Sequence, residues 1–282
     1  MIEFEHLRQP GPTFGINRGH PLTANLCFLY SPVHILRDLQ FGAVGTIPAT
    51  DNIRPTQRGL AYKVARQTSG GLNFGQIQPI TSEAWSILAI ANPGSADGVT
   101  ALYSQRYGTS PYNQIELVVN GTSGLASSAG KLSMVRLCTD GTSRPFDSTA
   151  STYADGNFHT YVATCAGPGI NPVMYFDGIQ VAGSGGGSGS GNVFSTNLRT
   201  RIGNIGDYSA DSAYCAACDI LLVACWNGRV LSPGDVVSLT ANPWQLFEPE
   251  RIFVRAPSLV AGLAAHPMRG GGAAANPMWG YA

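Results

Sequence analysis

Apolar positions in this chain come in short runs separated by glycine, proline, asparagine and aspartate, a spacing that suits strands better than helices. The clearest case is residues 155–181, DGNFHTYVATCAGPGINPVMYFDGIQV, where two apolar runs flank a loop and the second ends in Asp177-Gly178. A two-residue Asp-Gly loop between apolar runs predicts a hairpin, because its type I′ twist matches that of the strands it joins. The predicted sheet is therefore antiparallel. Residues 84–91, AWSILAIA, are apolar at both parities, the pattern of a strand covered on both faces, with Trp85 in the core. Two more strands are predicted at IELVVNG (115–121) and KLSMVRLCTDG (131–141), each ended by Asn-Gly or Asp-Gly, and DILLVACWNG (219–228) is the most apolar strand of all. Residues 38–75 alternate weakly and are interrupted by Gly42, Gly45, Pro48 and Pro55, which predicts short edge strands and loops.

One helix start stands out. Ser232 is a good N-cap, Pro233 suits the first helical position and Asp235 follows three residues after the cap. Val236 and Leu239 share a face that is expected to cap an open end of the sandwich, and Pro243 stops the helix. Trp244, Leu246 and Phe247 are expected to close the core rather than to form a sugar platform. The run AGSGGGSGSGN (182–192) is too rich in glycine and serine to pack a core and is expected to be a flexible loop.

Composition narrows the picture. A chain of 282 residues suits one all-β sandwich with appendages. Charged residues make up only 12% and glycine is abundant, as expected for many strands joined by turns. Seventeen basic side chains balance seventeen acidic ones, so no cationic surface for nucleic acid is expected. No apolar run reaches the ~20 residues a membrane helix needs. The N-terminus, MIEFEHLRQP, lacks the basic start and apolar stretch of a secretory signal, so synthesis in the cytoplasm is expected.

The quoted hairpin, DGNFHTYVATCAG followed by PVMYFDGIQVAG, resembles the signature hairpin of laminin-G-like, concanavalin A-like jelly-roll domains. RIGNIG and residues 219–249 resemble the same family's last strand and short helix. The Asn-Pro-Trp-Gln-Leu-Phe segment (242–247) resembles, more narrowly, phage and prophage members, as does GINRGHPLTANLCFLYSP from Gly15 onward. The resemblance implies a two-sheet antiparallel jelly roll over residues 15–255, with an arm at 1–14 and an Ala/Gly-rich docking tail at 256–282. It further implies a virion structural protein, a tail fibre or tail-associated appendage that contacts host-surface glycan. A capsid decoration protein is the alternative within that class, and a glycan-degrading enzyme or free lectin the alternative outside it. Other virion proteins and further copies of the chain are the expected partners.

Candidate chemistry is sparse. The loop around NPGSADGVTALYSQRYGTSPYNQ offers Asp97, Tyr103, Tyr107, Tyr112 and Asn113 as glycan contacts, because tyrosine gives contact area at low entropic cost and asparagine adapts its hydrogen bonds. Asp207, Asp211 and Asp219 are candidate calcium ligands, since hard cations take several oxygens and relatives of this type hold calcium at loop ends; the EF-hand spacing and its bidentate Glu are missing. Met268, Met278, Trp279 and Tyr281 are the candidate anchors of the tail on a neighbouring subunit. Cys138, Cys165 and Cys225 read as buried thiols. Cys215 and Cys218 form a lone C-x-x-C without the further ligands zinc needs, leaving packing or a local disulfide. Asn120-Gly121-Thr122 matches a glycosylation pattern that is idle without a secretory signal. Only Glu83 and Glu116 are interior glutamates, and the strand motif Glu-x-Asp-x-x-Glu of the family's glucanases is absent, so catalysis is not expected. His20 and His159 are expected to be structural.

Overall fold

The computed structural model describes residues 9–248 apart from 13, 35–36, 41, 49–51, 66–70, 78, 95–97, 107–113, 121–129, 138–142, 186–197 and 206–216. In chain order the described strands are β1 (Leu26–Tyr30), β2 (Asn52–Thr56), β3 (Gly59–Val64), β4 (Leu72–Asn73), β5 (Trp85–Pro93), β6 (Val99–Arg106), β7 (Gln114–Asn120) and β8 (Leu132–Leu137). They continue with β9 (Ser143–Ser148), β10 (His159–Cys165), β11 (Val173–Phe176), β12 (Ile179–Val181), β13 (Gly183–Gly185), β14 (Arg199–Ile202) and β15 (Cys218–Asn227), and then one helix, α1 (Pro233–Ala241).

Two antiparallel sheets face each other. The first runs β12-β11-β10-β5-β15-β3-β2, with β1 pairing β15 beside β3; the second runs β13-β9-β8-β7-β6-β14-β4. This is the predicted jelly-roll sandwich. Side chains of one parity from each sheet fill the space between them, among them Phe28, Tyr62, Trp85, Ile87, Tyr103, Leu117, Met134, Tyr161 and Cys225. Aligned sheets pack this way because strand residues alternate between faces.

The other parity of the first sheet is also apolar, and a third layer covers it. Leu88, Ile90, Val162, Leu222, Ala224 and Trp226 cluster with Leu22, Val236, Leu239, Leu246 and Phe247. This explains the two-sided apolar pattern of β5. The helix lies on that outer face instead of capping an open end, as its sequence suggested, because the exposed apolar area to be covered is on the sheet. Its start is as predicted: the Ser232 hydroxyl accepts from the Asp235 N–H, and the Asp235 carboxylate accepts from the Ser232 N–H. Polar bonds fasten the layer. The Trp226 indole N–H donates to the Leu22 carbonyl at 2.7 Å, and Arg229 donates to the carbonyls of Pro21 and Ala24 and to Asp235. The opening and closing segments meet through an antiparallel bridge between Ile16 and Phe247.

One further detail departs from expectation. The start of the glycine-serine run is ordered: Gly183–Gly185 forms β13 on the edge of the second sheet, paired with β9. A Cβ on Gly183 would lie 2.5 Å from the Phe146 ring, so glycine here allows close approach of two strands. His20 has the structural role expected of it, accepting through Nδ1 from the Leu22 N–H to cap a 3₁₀ turn.

Candidate functional site

The outer face of the first sheet is not covered completely. Between the third layer and the β2–β3 hairpin lies a cavity of about 600 Å³, within the range of small-ligand sites. Its floor is Ile90 of β5, Thr160 of β10 and Leu221 of β15. Ile90 and Thr160 face each other in register, and so do Ile90 and Leu222; Leu221 is the extra residue of a β-bulge between Ile220 and Leu222. Such a bulge re-aims a side chain and is common beside sites.

Three segments form the walls. Gln9 through Pro12 make one, and the Gln57-Arg58 turn with Pro55 and Leu60 makes the second. Thr240, Pro243 and Trp244 make the third. The Gln9 side chain fastens the arm. Gln9 accepts from the Leu60 N–H at 2.6 Å and donates to the Leu60 carbonyl and to Ser31 Oγ. Gly59 permits this: its φ is +121°, and a Cβ would lie 2.4 Å from the Gln9 carboxamide oxygen.

The cavity is mostly apolar, with hydroxyls and amides at its margin and a half-buried Trp244. The Thr240 hydroxyl is buried without a hydrogen-bond partner. A buried polar group without a partner is costly, and a ligand oxygen or amine reaching it would remove that cost. Thr240 shares a helix face with Val236 (i, i+4), so the sequence pattern held a signal for its burial.

The Asp177-Gly178 reversal stands beside this site. Both residues have positive φ, 49° and 82°, as the type I′ turn requires. The Asp177 carboxylate accepts from the Thr160 N–H at 2.9 Å, and Gly178 abuts Thr240. The same carboxylate bonds His159 Nδ1 at 2.6 Å, while His159 Nε2 bonds Asp155 at 2.9 Å. His159 also packs on Phe176 in a tilted arrangement, ring centroids 4.5 Å apart. Partial burial of His159 works against its cation, but the hydrogen bonds and charges of Asp177 and Asp155 outweigh it and raise its pKa. The structural role expected for His159 is thus a two-carboxylate clamp on the hairpin.

Several sequence candidates fall elsewhere. Tyr103 is not a glycan contact: it sits on the inward face of β6, fully buried against Phe28, and burial pushes its phenol pKa well up. Asp97, Tyr107, Tyr112 and Asn113 lie outside the described residues. Asp219 lies within β15, where its carboxylate is engaged in a two-point ion pair with Arg54 of β2 through Nε and Nη2. Asp207 and Asp211, and the tail residues Met268, Met278, Trp279 and Tyr281, lie outside the described residues. Asn120 is buried, its amide donating to Lys131 and Ser133, which leaves no room for a glycan. Glu116 is buried beside Arg106 and Ser104; burial raises its pKa and those two neighbours offset part of the rise. Leu246 and Phe247 close the outer cluster as expected, but Trp244 also faces the cavity.

Among the described residues, no helix is long and apolar enough to cross a membrane. No family model matches the chain, and no curated protein matches it. Solved structures do. The binding domain of Paraclostridial Mosquitocidal Protein 1 superposes with a TM-score of 0.55 at 11% identity over 78% of this chain, which spans 52% of that domain. Domain 4 of AbnA, an extracellular arabinanase from Geobacillus stearothermophilus in complex with arabinotriose, gives 0.55 at 16% identity over 77% of this chain and 98% of that one. Trypanosoma rangeli sialidase in complex with sialic acid gives 0.52 at 16% identity, with 78% of this chain covering 33% of the enzyme. At these identities the likeness defines a class by fold, the jelly-roll β-sandwich. The chain spans about half of the toxin domain and a third of the sialidase, so the activities of those whole proteins do not transfer with the fold.

Proposed function

We propose that this chain is a non-catalytic binding module of a bacteriophage virion, part of a tail fibre or tail-associated appendage, whose outer-face cavity takes up a glycan of the host surface. The observation that carries the reading is the cavity itself, with an apolar floor, the unpartnered Thr240 hydroxyl and the Trp244 ring at one wall. An aromatic ring can stack on the apolar face of a sugar while hydroxyls and amides at the rim bond its oxygens. The AbnA domain of like fold was solved with arabinotriose, which supports the ligand class. Among the described residues, the cavity lining contains no Asp or Glu, whereas glycoside hydrolysis uses a pair of carboxylates, which supports binding without cleavage. Support for the virion setting comes from the Asn242–Phe247 segment and its resemblance to phage members.

The test has two arms. Wild type and Trp244→Ala are compared by ligand-observed NMR against host lipopolysaccharide fragments and neutral oligosaccharides. Binding by the wild type that falls at least tenfold in the variant supports the site, and equal binding by both removes it. Counting copies of the chain in purified particles separates a tail appendage, present in small symmetric numbers, from a capsid decoration protein present in hundreds. Release of reducing sugar by the wild type would replace the binding reading with an enzymatic one.

A further inference from the structure

Among the described residues, the space between the sheets holds a charged side chain, Arg136, that the packing does not explain. Arg136 of β8 has the same parity as Leu132 and Met134, points into the core and is fully buried. Its Nη1 donates to Cys165 Sγ at 3.6 Å, a weak acceptor whose own proton is directed to the carbonyls of Gly167 and Ile170. Its Nε and Nη2 are buried with no hydrogen-bond partner. Trp85, directly opposite Cys165 in the β5–β10 register, is also fully buried, and its indole N–H has no partner either. Arg136 and Trp85 therefore flank the same cysteine with three N–H donors and a full positive charge, and no acceptor bonded to any of the three.

The Glu83 carboxylate acts on Cys165 through space, but it bonds neither Nε nor Nη2 of Arg136. An unpaired buried charge is far costlier than a paired one, and the Nε–Nη2 edge of a guanidinium is the edge that grips an anion at two points. We propose that Arg136 and Trp85 form a binding site for a small monovalent anion, a halide or a formate-sized carboxylate, held between the sheets and contributing to their cohesion. This site is separate from the outer-face cavity and does not depend on what that cavity binds.

Melting temperatures of the full chain in sodium chloride, bromide or formate provide the test, with sodium gluconate holding ionic strength constant. The wild type is expected to show a saturable upward shift with the small anion. A ligand 100-fold above its dissociation constant multiplies the folding equilibrium constant about 100-fold. The relative response to halide and formate tells which anion chemistry the site prefers. Arg136→Met, which fills the volume without the charge, is expected to lose the anion-specific shift while still folding, since apolar replacement of a buried charge is commonly tolerated. A wild-type response identical in gluconate, or an equal shift in Arg136→Met, overturns the proposal. Should that variant not fold, bromide-soaked wild-type crystals decide. An anomalous peak within hydrogen-bond reach of Arg136 Nε and Nη2 upholds the site, and a carboxylate of the chain itself at that edge, or no peak, rejects it.

Discussion

Replacing His159 with glutamine removes a cation held between two carboxylates, and the size of the effect can be worked from the geometry. Two ring nitrogens bond Asp177 at 2.6 Å and Asp155 at 2.9 Å. Shielded charge-assisted hydrogen bonds are worth about 1.5–3 kcal/mol each, and exposed ion pairs about 0.2–1 kcal/mol. The ring is 15% exposed, but the carboxylates are 48% and 41% exposed, so screening places each bond near about 0.5–1 kcal/mol and the pair near about 1–2 kcal/mol. For a domain of this size 1 kcal/mol moves Tm by about 2–4 °C, so the loss should be about 2–8 °C. The pH dependence has a definite sign. The folded pKa of His159 is raised above the ordinary histidine value of 6.5, so its contribution is complete below 6.5 and is lost as pH rises through the folded value. Once neutral, the ring can donate to only one carboxylate. On the acid side, burial raises the Asp155 pKa but hydrogen bonds from Asn157 and from His159 outweigh it and bring it to about 2, so its contribution holds above 3.8 and fades toward pH 2. Thermal melts of both proteins from pH 3 to pH 9 should therefore show the largest gap near pH 5–6, closing on the alkaline side. A gap that stays constant across neutral pH would refute the clamp.

Two further outcomes are expected. Gly59→Ala meets both a φ of +121° and the Gln9 carboxamide, so it should cost about 1–3 kcal/mol in urea unfolding and release the arm, read as faster proteolysis before Pro12; unchanged arm protection counts against Gln9 as the fastening. Burial raises the thiol pKa values of Cys165 and Cys225, so iodoacetamide at pH 8 should leave both unlabelled in the native chain and label them after denaturation, as mapped by peptide mass spectrometry; labelling of either without unfolding contradicts the placement.

The sandwich was legible in the sequence because its determinants are local. Asp177-Gly178 announces its own turn type, the two-sided apolar run at residues 84–91 announces a covered strand, and Ser232-Pro-Gly-Asp235 announces a helix start. The cavity was much less legible, since its parts come from positions with ordinary neighbours: Gln9, the Gln57-Arg58 turn, Thr160 and Thr240. Only folding brings them together, and only Thr240 carried a periodic hint of burial. Tyr103 was misplaced for a related reason. Its surroundings are rich in serine and tyrosine, as binding loops are, but Tyr103 lies within strand β6, where a β-bulge between Ala101 and Tyr103 shifts the register and turns Tyr103 inward opposite Leu117. Asp219 looked like a member of an acidic group because sequence proximity to Asp207 and Asp211 hid its true partner, Arg54, at a separation of 165 residues.

The hairpin that carries the family resemblance also accounts for where the cavity lies. Asp177 binds His159 on one side and the Thr160 N–H on the other, and Thr160 is part of the cavity floor. Gly178, which takes positive φ, lies against Thr240: a Cβ there would meet Thr240 Oγ1 at 3.5 Å, ordinary van der Waals contact, so the turn packs on the helix that forms a wall. The hairpin residues thus build a frame with a fixed corner, and the walls of the cavity come from the arm, the β2–β3 turn and the end of α1. Frame and walls can change independently, because one is held by backbone and clamp bonds within the sheet and the other by a few contacts at its surface. Ligand preference in proteins of this fold should then follow the wall segments and not the signature hairpin, which is why likeness of fold at 11–16% identity carries the architecture but not the ligand.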